Sequence, residues 1–417
     1  MTLLDMRIAT STSAPAPQGA KIFDELIRSA GRGPDLAARL EAAATVAAAA
    51  AASVDAEARF PEEAFAALRE QCLLGVMVPR ELGGEGASVS DVADIGYRLG
   101  RACSATAMIY AMHQTKVACI MRHGGESAWH RRLLQRVVAE QLLLASSTTE
   151  GSGGGNVRSS EAPIERDGEH IALNRNAGVI SYGASADGVV TTARRRADAA
   201  SSDQVLVAFL KEDYTLEPQS SWDTLGMRGT CSSGFMFRAR GEAAQILPVP
   251  YEKIHAETMT PVAHLLWSGA WAGIATDAVE RARAFIRKAS RQSGGQLPPG
   301  ASQFSKANAH LRQLRAVIAT ALARFEAAKD DAAALSSIAF QSMISITKVD
   351  ASELAVAAVM SALRTCGLSG YRNDGEFSVA RHLRDVLSSP LMINNERIIA
   401  NTATASLMSG APDSLKL

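Results

Sequence analysis

The hydrophobic pattern of this chain changes period twice along 417 residues, and that alternation limits the folds open to it. From residue 21 to about 141 the apolar spacing is helical. LAARLEAAATVAAAAAASVDAEARF is dominated by alanine, the best helix former. Pro61 then opens PEEAFAALREQCLL, whose early acids suit a helix N-terminus. Glycines 83, 84 and 86 break the pattern, and a Ser-x-x-Asp box, Ser88 to Asp91, restarts it. From about 142 to 250 the segments shorten: LLLASSTTE, HIALNR, GVISYG, DGVVTTARR, QVLVAFL and GFMFRAR are rich in Val, Ile and Thr and separated by turn residues, which predicts strands. Helical spacing returns from residue 261 to about 409, in segments such as HLLWSGAWAGIATDAVERARAFIRKA. The expected class is α+β, with a loose tail at 1–20, an α-helical domain at 21–141, a β domain at 142–250 and a helical bundle at 251–417.

Composition narrows the function. Forty-three basic residues balance forty-three acidic ones, which argues against a nucleic-acid partner, since phosphate binding draws on a basic excess. The five cysteines are far apart with no C-x-x-C pair, and the histidines show no metal-binding spacing, so neither a disulfide framework nor a metal cage is expected. No run of eighteen apolar residues predicts a membrane span, and the first twenty residues lack a signal-peptide pattern. Buried thiols suit a reducing compartment, and a cytoplasmic protein is the expectation.

The most unusual local stretch is SSTTEGSGGGNV, Ser146 to Val157, with four glycines in five positions. Such glycines let a ligand approach the backbone, and the hydroxyls from Ser146 to Thr149 offer donors; a flexible hairpin loop is the plainer reading. The stretch is neither a dinucleotide fingerprint nor a Walker loop, because helices do not alternate with strands and no G-K-[ST] follows.

Taken in order, VPRELGGEG, the STTEGSGGG loop, GVISYGASADGVVTTAR, LGMRGT, and CGLSGY followed by HLRD resemble the acyl-CoA dehydrogenase superfamily over roughly residues 23–409. The resemblance implies an N-terminal α domain, a central β-barrel or sandwich and a C-terminal four-helix bundle. It also implies a homo-oligomer, usually a tetramer, with FAD between domains and subunits. Thr148 and Thr149 match positions that contact the flavin ring, and Gly154 and Gly155 the place where the loop meets flavin and substrate. Ile180 and Ser181 match the strand pair behind the ring, with Val179 where the family commonly has Trp. Arg291 matches an arginine that reaches a neighbour's FAD pyrophosphate, although the residues after it depart from the family pattern. Gly367 and Gly370 match a glycine turn that cradles another subunit's flavin, and Arg364 stands where the family has Gln. A solvated helix face or an intersubunit ion pair is the bland role for both arginines.

Dehydrogenation of an acyl thioester needs a carboxylate to remove the α proton while flavin accepts the β hydride. The resemblance places that acid after Arg384-Asp385, where gap-free counting finds Ile393. The alternative family position, on the first bundle helix, falls at Ala263 and His264. Both usual sites lack an acid. Glu396 is the nearest candidate base, and its plainer role is at the end of the final helix, or paired with Arg397. His113 is the candidate catalyst in a second scheme, the two-component flavin monooxygenases of the same fold; its plainer role is a satisfied core residue. His382 reads as a surface or dipole partner, and Cys231 as packing.

Two enzymatic readings follow. The expected one is α,β-dehydrogenation of an acyl thioester, on coenzyme A or a carrier protein, with an electron-transfer flavoprotein as partner. The other is hydroxylation of a small molecule with O2 and reduced flavin, FAD or FMN, delivered by a flavin reductase. A flavoprotein that keeps the scaffold without catalysis is a third.

Overall fold

Alanine's high helix propensity sets the first element. Helix α1, Leu36–Ala56, buries Leu40, Ala43, Ala47, Ala50, Ala51 and Val54 along one face. The computed structural model describes residues 35–150 and 157–408. By length and apolar composition α1 passes as a membrane-spanning helix, contrary to the expectation of no such segment, yet its apolar stripe packs against α2 (Glu62–Glu70) and α3 (Val89–Ala102).

Ser88 caps α3 as its sequence predicts: its hydroxyl accepts from Asp91 N at 3.1 Å, and the Asp91 carboxylate accepts from Ser88 N at 2.9 Å. Helices α4 (Ser104–His123) and α5 (Ala128–Ala139) complete the N-terminal layer. Nearly all of α4 is buried, so it is hydrophobic around most of its circumference rather than amphipathic.

The middle of the chain forms two sheets. The first has order β1 (Leu144–Ser147), β4 (Gly188–Arg194), β5 (Gln204–Leu210), with β1 parallel to β4. The second is antiparallel, in the order β2 (Ile164–Asp167), β3 (His170–Ala177), β7 (Gly234–Glu242), β6 (Tyr214–Ser220). Phe209 of β5 meets Phe237 of β7 at 5.9 Å, joining the sheets through a common core. GVISYG is not a strand, contrary to its composition. It is an irregular segment held by single bonds from Ile180 N to Ser233 O and from Tyr182 N to Thr230 O, with Tyr182 in the left-handed region.

The C-terminal half is the expected bundle. A short helix α6 (Tyr251–Ile254) runs through a π turn, His255–Met259, into α7 (Thr260–Gln292). Next come α8 (Ala301–Ala328), α9 (Ala332–Ser336), α10 (Ile338–Cys366), α11 (Leu368–Tyr371), α12 (Ala380–Val386) and α13 (Asn395–Met408). Helix α10 packs on α7, α8 and α13, and α3 lies across α7, which ties the N-terminal domain to the bundle.

Candidate active site

A cavity of about 1040 Å³ opens where the three layers meet. Its wall takes residues from α4, the end of β1, the segments at 179–181 and 222–232, the π turn and α7, the start of α10, and α13.

The sequence forms this wall by local alternation. Ser146 and Thr148 face the cavity while Ser147 between them is fully buried, as strand geometry requires. The same holds for Val179 and Ser181, which line the cavity, and Ile180, which is turned into the core with none of its surface exposed. Ser181 belongs to a hydroxyl chain: Ser232 Oγ donates to Ser181 Oγ at 2.8 Å, and Thr230 Oγ1 lies 2.7 Å from Ser232 Oγ. Hydroxyls at Ser146, Thr148, Thr149, Ser181 and Ser232 beside an apolar wall suit an isoalloxazine ring, which is flat, apolar on its faces and polar at its edge. The residues present therefore fit a flavin.

The segment at 222–227 closes one side and is fastened by the Arg384-Asp385 pair. Asp385 Oδ1 accepts from Met227 N at 2.7 Å, while Arg384 Nη1 donates to Asp55 Oδ1 at 2.9 Å and to Leu225 O at 3.1 Å. These two residues hold the wall in place through charge-assisted bonds, the Asp385 one buried and the Arg384 ones nearer the surface.

Across the cavity stands the π turn. Its wider coil interrupts the helical register, and His255, Met259, Thr260, Ala263, His264 and Trp267 all lie on the wall. Facing them from α4 is Lys116, buried to 2 % exposure, whose Nζ has a thioether partner, Met259 Sδ, at 3.0 Å. Burial lowers the Lys116 amine to about 8, and lowers His255 to about 4 and His264 to about 3.

The acids take no part in this wall. Among the described residues the lining contains neither Asp nor Glu. Ile393, where the family's base would be counted, is on the wall, as are Ala263 and His264 at the alternative position. Glu396 is exposed in the first turn of α13 and does not line the cavity; its backbone N–H donates to Asn394 Oδ1 at 3.0 Å. The preceding residue explains this orientation. Asn395 is buried and pinned, its Oδ1 accepting from Lys348 Nζ at 2.7 Å and its Nδ2 donating to Ser352 Oγ at 2.9 Å, which turns Glu396 outward. Glu150, beside the flavin-facing threonines, bonds instead to Ser160 Oγ and Glu161 N at 2.6 and 2.8 Å.

His113 also lies off the wall. It is fully buried, with Nε2 donating to Leu74 O at 2.9 Å and Nδ1 accepting from Leu144 N at 3.0 Å, so both nitrogens bridge backbone groups of the core. His382 pairs with Asp277 at 2.7 Å. Gly154 and Gly155 lie outside the described residues. Arg291, Arg364, Gly367 and Gly370 are not on the cavity wall. Lys116, Arg158, His255, Trp222 and Trp267 were not singled out from the sequence. A signal existed for Lys116, the only Lys, Arg, Asp or Glu between Ser104 and Met121 on an otherwise buried helix. The π turn carries no comparable mark.

Two family models match the chain: acyl-CoA dehydrogenase, N-terminal domain, over residues 37–141, and acyl-CoA dehydrogenase, C-terminal domain, over residues 257–393. A probable acyl-CoA dehydrogenase, FadE25, of Mycobacterium tuberculosis is 26% identical over 80% of this chain and 84% of its own length. A cyclohex-1-ene-1-carbonyl-CoA dehydrogenase of Geobacter metallireducens is 27% identical over 84% of this chain and 90% of its own. Among solved structures, FMN-bound TdsC of Paenibacillus sp. A11-2, at 18% identity, superposes with a TM-score of 0.78 over 90% of this chain and 98% of that one.

Proposed function

We propose a reaction for this protein from one premise: the chain belongs to the acyl-CoA dehydrogenase superfamily and is a flavin-dependent oxidoreductase. Two reactions are run on this scaffold by its relatives. Curated relatives carry the name acyl-CoA dehydrogenase, while TdsC is described as a dibenzothiophene monooxygenase. The pocket favours the second, oxygenation of a small molecule using reduced flavin and O2. The observation that carries this reading is the wall without a carboxylate among the described residues. An α proton needs a base within hydrogen-bond reach, and Ile393, Ala263 and a neutral His264 hold the places where an acid would stand.

When bound, the flavin supplies the two-electron chemistry. Ser146, Thr148, Thr149, Ser181 and Ser232 would hold its polar edge. Trp222, Trp267, Met108, Met112 and Met392 exclude water from the space beside it. No nicotinamide fingerprint occurs in the sequence, so the reduced flavin, FMN or FAD, comes from a separate reductase. Dehydrogenation of an acyl thioester, with an electron-transfer flavoprotein as acceptor, stays as the second reading, supported by the two family models and the curated relatives' names. In both readings the chain assembles with copies of itself. Exposed Leu368 and Tyr371 beside the Gly367–Gly370 turn support this.

The test begins without oxygen. The protein is loaded with oxidised flavin and mixed with short-, medium- and long-chain acyl-CoA esters. Expected is no bleaching of the flavin band, with label from heavy dioxygen entering a thioether, indole or amine probe once reduced flavin is supplied. Bleaching by an acyl-CoA ester would decide for dehydrogenation. Glu396→Gln should leave whichever turnover is found within about twofold, since an exposed helix-end carboxylate lies outside contact with the reacting atoms. A loss beyond tenfold would return it to the chemistry.

A further inference from the structure

Among the described residues the cavity wall holds no acid, and on one side it is built from bases. Lys116 and His255 line the same cavity, and the lysine reaches the π turn at Met259; burial first, then the charges of Arg158 and Lys116, hold the His255 imidazole neutral. His255 and Lys348 do the same to His264. A lysine ammonium buried beside imidazoles that cannot balance its charge is costly unless something negative approaches it. The protein's own acids do not. Glu257, on the π turn, is off the wall and its carboxylate is 3.8 Å from Lys253 Nζ, and the Cys119 thiol beside Lys116 is pushed by burial to about 12 and stays neutral.

A second observation points the same way. His264 Nδ1 and Trp267 Nε1 are both buried without a hydrogen-bond partner, on rings 5.7 Å apart that line the cavity; His264 is 4 % exposed. Buried polar atoms of this kind are usually satisfied, so two on rings that line the cavity are candidate partners for a ligand there. Lys116 Nζ, with a thioether sulfur as its partner, has donor hydrogens to spare, because sulfur accepts weakly and an ammonium carries three.

We propose that the wall formed by Lys116, His255, His264 and Trp267, with Arg158 beside it, is the subsite for an anionic group of the substrate, a carboxylate, sulfonate or sulfinate. Lys116 supplies the charge-assisted bond and Trp267 a neutral N–H donor. The anion stabilises the neighbouring imidazoles in their protonated forms. This inference rests on the cavity being the substrate site of the reading above. It selects acids over neutral molecules of the same shape, because discarding the anion leaves a buried ammonium with a sulfur partner.

The experiment measures binding to the full-length protein by titration calorimetry, with no oxygen and no turnover. The probes are matched pairs: benzoate with benzamide, hexanoate with hexanamide, and benzenesulfonate with benzenesulfonamide. At least one acid should bind at least tenfold more tightly than its amide. Lys116→Met should abolish that preference, and Lys116→Arg should keep it. If Lys116→Met fails to fold, Trp267→Phe carries the same comparison, with a loss of at least threefold expected. Equal binding of every acid and its amide overturns the subsite, as does a preference that survives Lys116→Met. Displacement of the bound acid by FMN but not by riboflavin also overturns it, by assigning the cluster to the cofactor's phosphate. Because no flavin chemistry is read, this result stands apart from the reaction itself. Bleaching by an acyl-CoA ester would sink the oxygenase reading and leave the acid preference in place.

Discussion

His113 shows how a residue that looks chemical in sequence becomes structural once its neighbours are known. One nitrogen donates to Leu74 O and the other accepts from Leu144 N, so the ring joins the N-terminal helical layer to the first strand as a neutral tautomer. His113→Ala would leave the Leu144 N–H buried and unpaired, take one of two donors from Leu74 O, which keeps Gln114 Nε2 at 3.0 Å, and remove packing. The expected cost is about 2–4 kcal/mol in chemical denaturation. Burial lowers this imidazole from 6.5 to about 4. The unfolded chain therefore binds more protons between those values, and the contribution to stability is present above pH 6.5 and lost as pH falls towards 4. The variant should flatten that part of the acid unfolding profile. A variant as stable as the parent, but with its oxygen chemistry lost, would instead place His113 in catalysis.

Among elements, the crossing of α3 and α7 decides where the cavity wall stands. A Cβ added at Gly273 would lie 2.1 Å from Tyr97 O, and one at Gly100 would lie 2.4 Å from Ala270 O. The two helices thus meet backbone to backbone. Gly273→Ala would force them apart, with an expected loss of about 1–3 kcal/mol. It should also weaken flavin or acid binding, since α7 carries His264 and Trp267. Unchanged stability and binding in that variant would show that the crossing tolerates a shift of more than an ångström. The π turn acts at the same level: it sets the register of α7 relative to α6 and so chooses which side chains of α7 face the cavity.

The assembled protein is expected to be larger than one chain. Leu368 and Tyr371 are 75 % and 73 % exposed, next to the turn that in this family meets a neighbour's flavin. Sedimentation equilibrium should return a multiple of 43.9 kDa, with four copies the expected number. Replacing both residues, Leu368→Glu with Tyr371→Glu, should shift the mass towards one chain and weaken flavin binding together. A parent that sediments as a single chain would sink this expectation, and a cofactor held wholly within one chain would then have to be sought.

Much of the architecture was legible because it is local. Alanine and amphipathic spacing identified the helices, the Ser88 box placed the start of α3, β-branched runs marked β4 and β5, and short runs between turn residues marked β1 and β7. The weak segments were those whose structure depends on non-local partners: GVISYG composes like a strand but finds no ladder, and it is held by two backbone bonds to residues about fifty positions away and by the side chains of Ser181 and Tyr182. Absence of an acid at Ile393, Ala263 and His264 could be read from counting alone. That Glu396 stands exposed and off the cavity wall could not, since its direction depends on Asn395 being pinned by Lys348 and Ser352, more than forty residues away in sequence. Nor could the basic wall be read in advance. Lys116, His255, His264 and Trp267 are separated by up to 151 positions, and what unites them is the packing of α4 on a π turn. Sequence determines which elements form, because propensity and spacing act over a few residues. Tertiary packing alone decides which charges end up facing one another, because burial and electrostatic partners belong to the assembled fold.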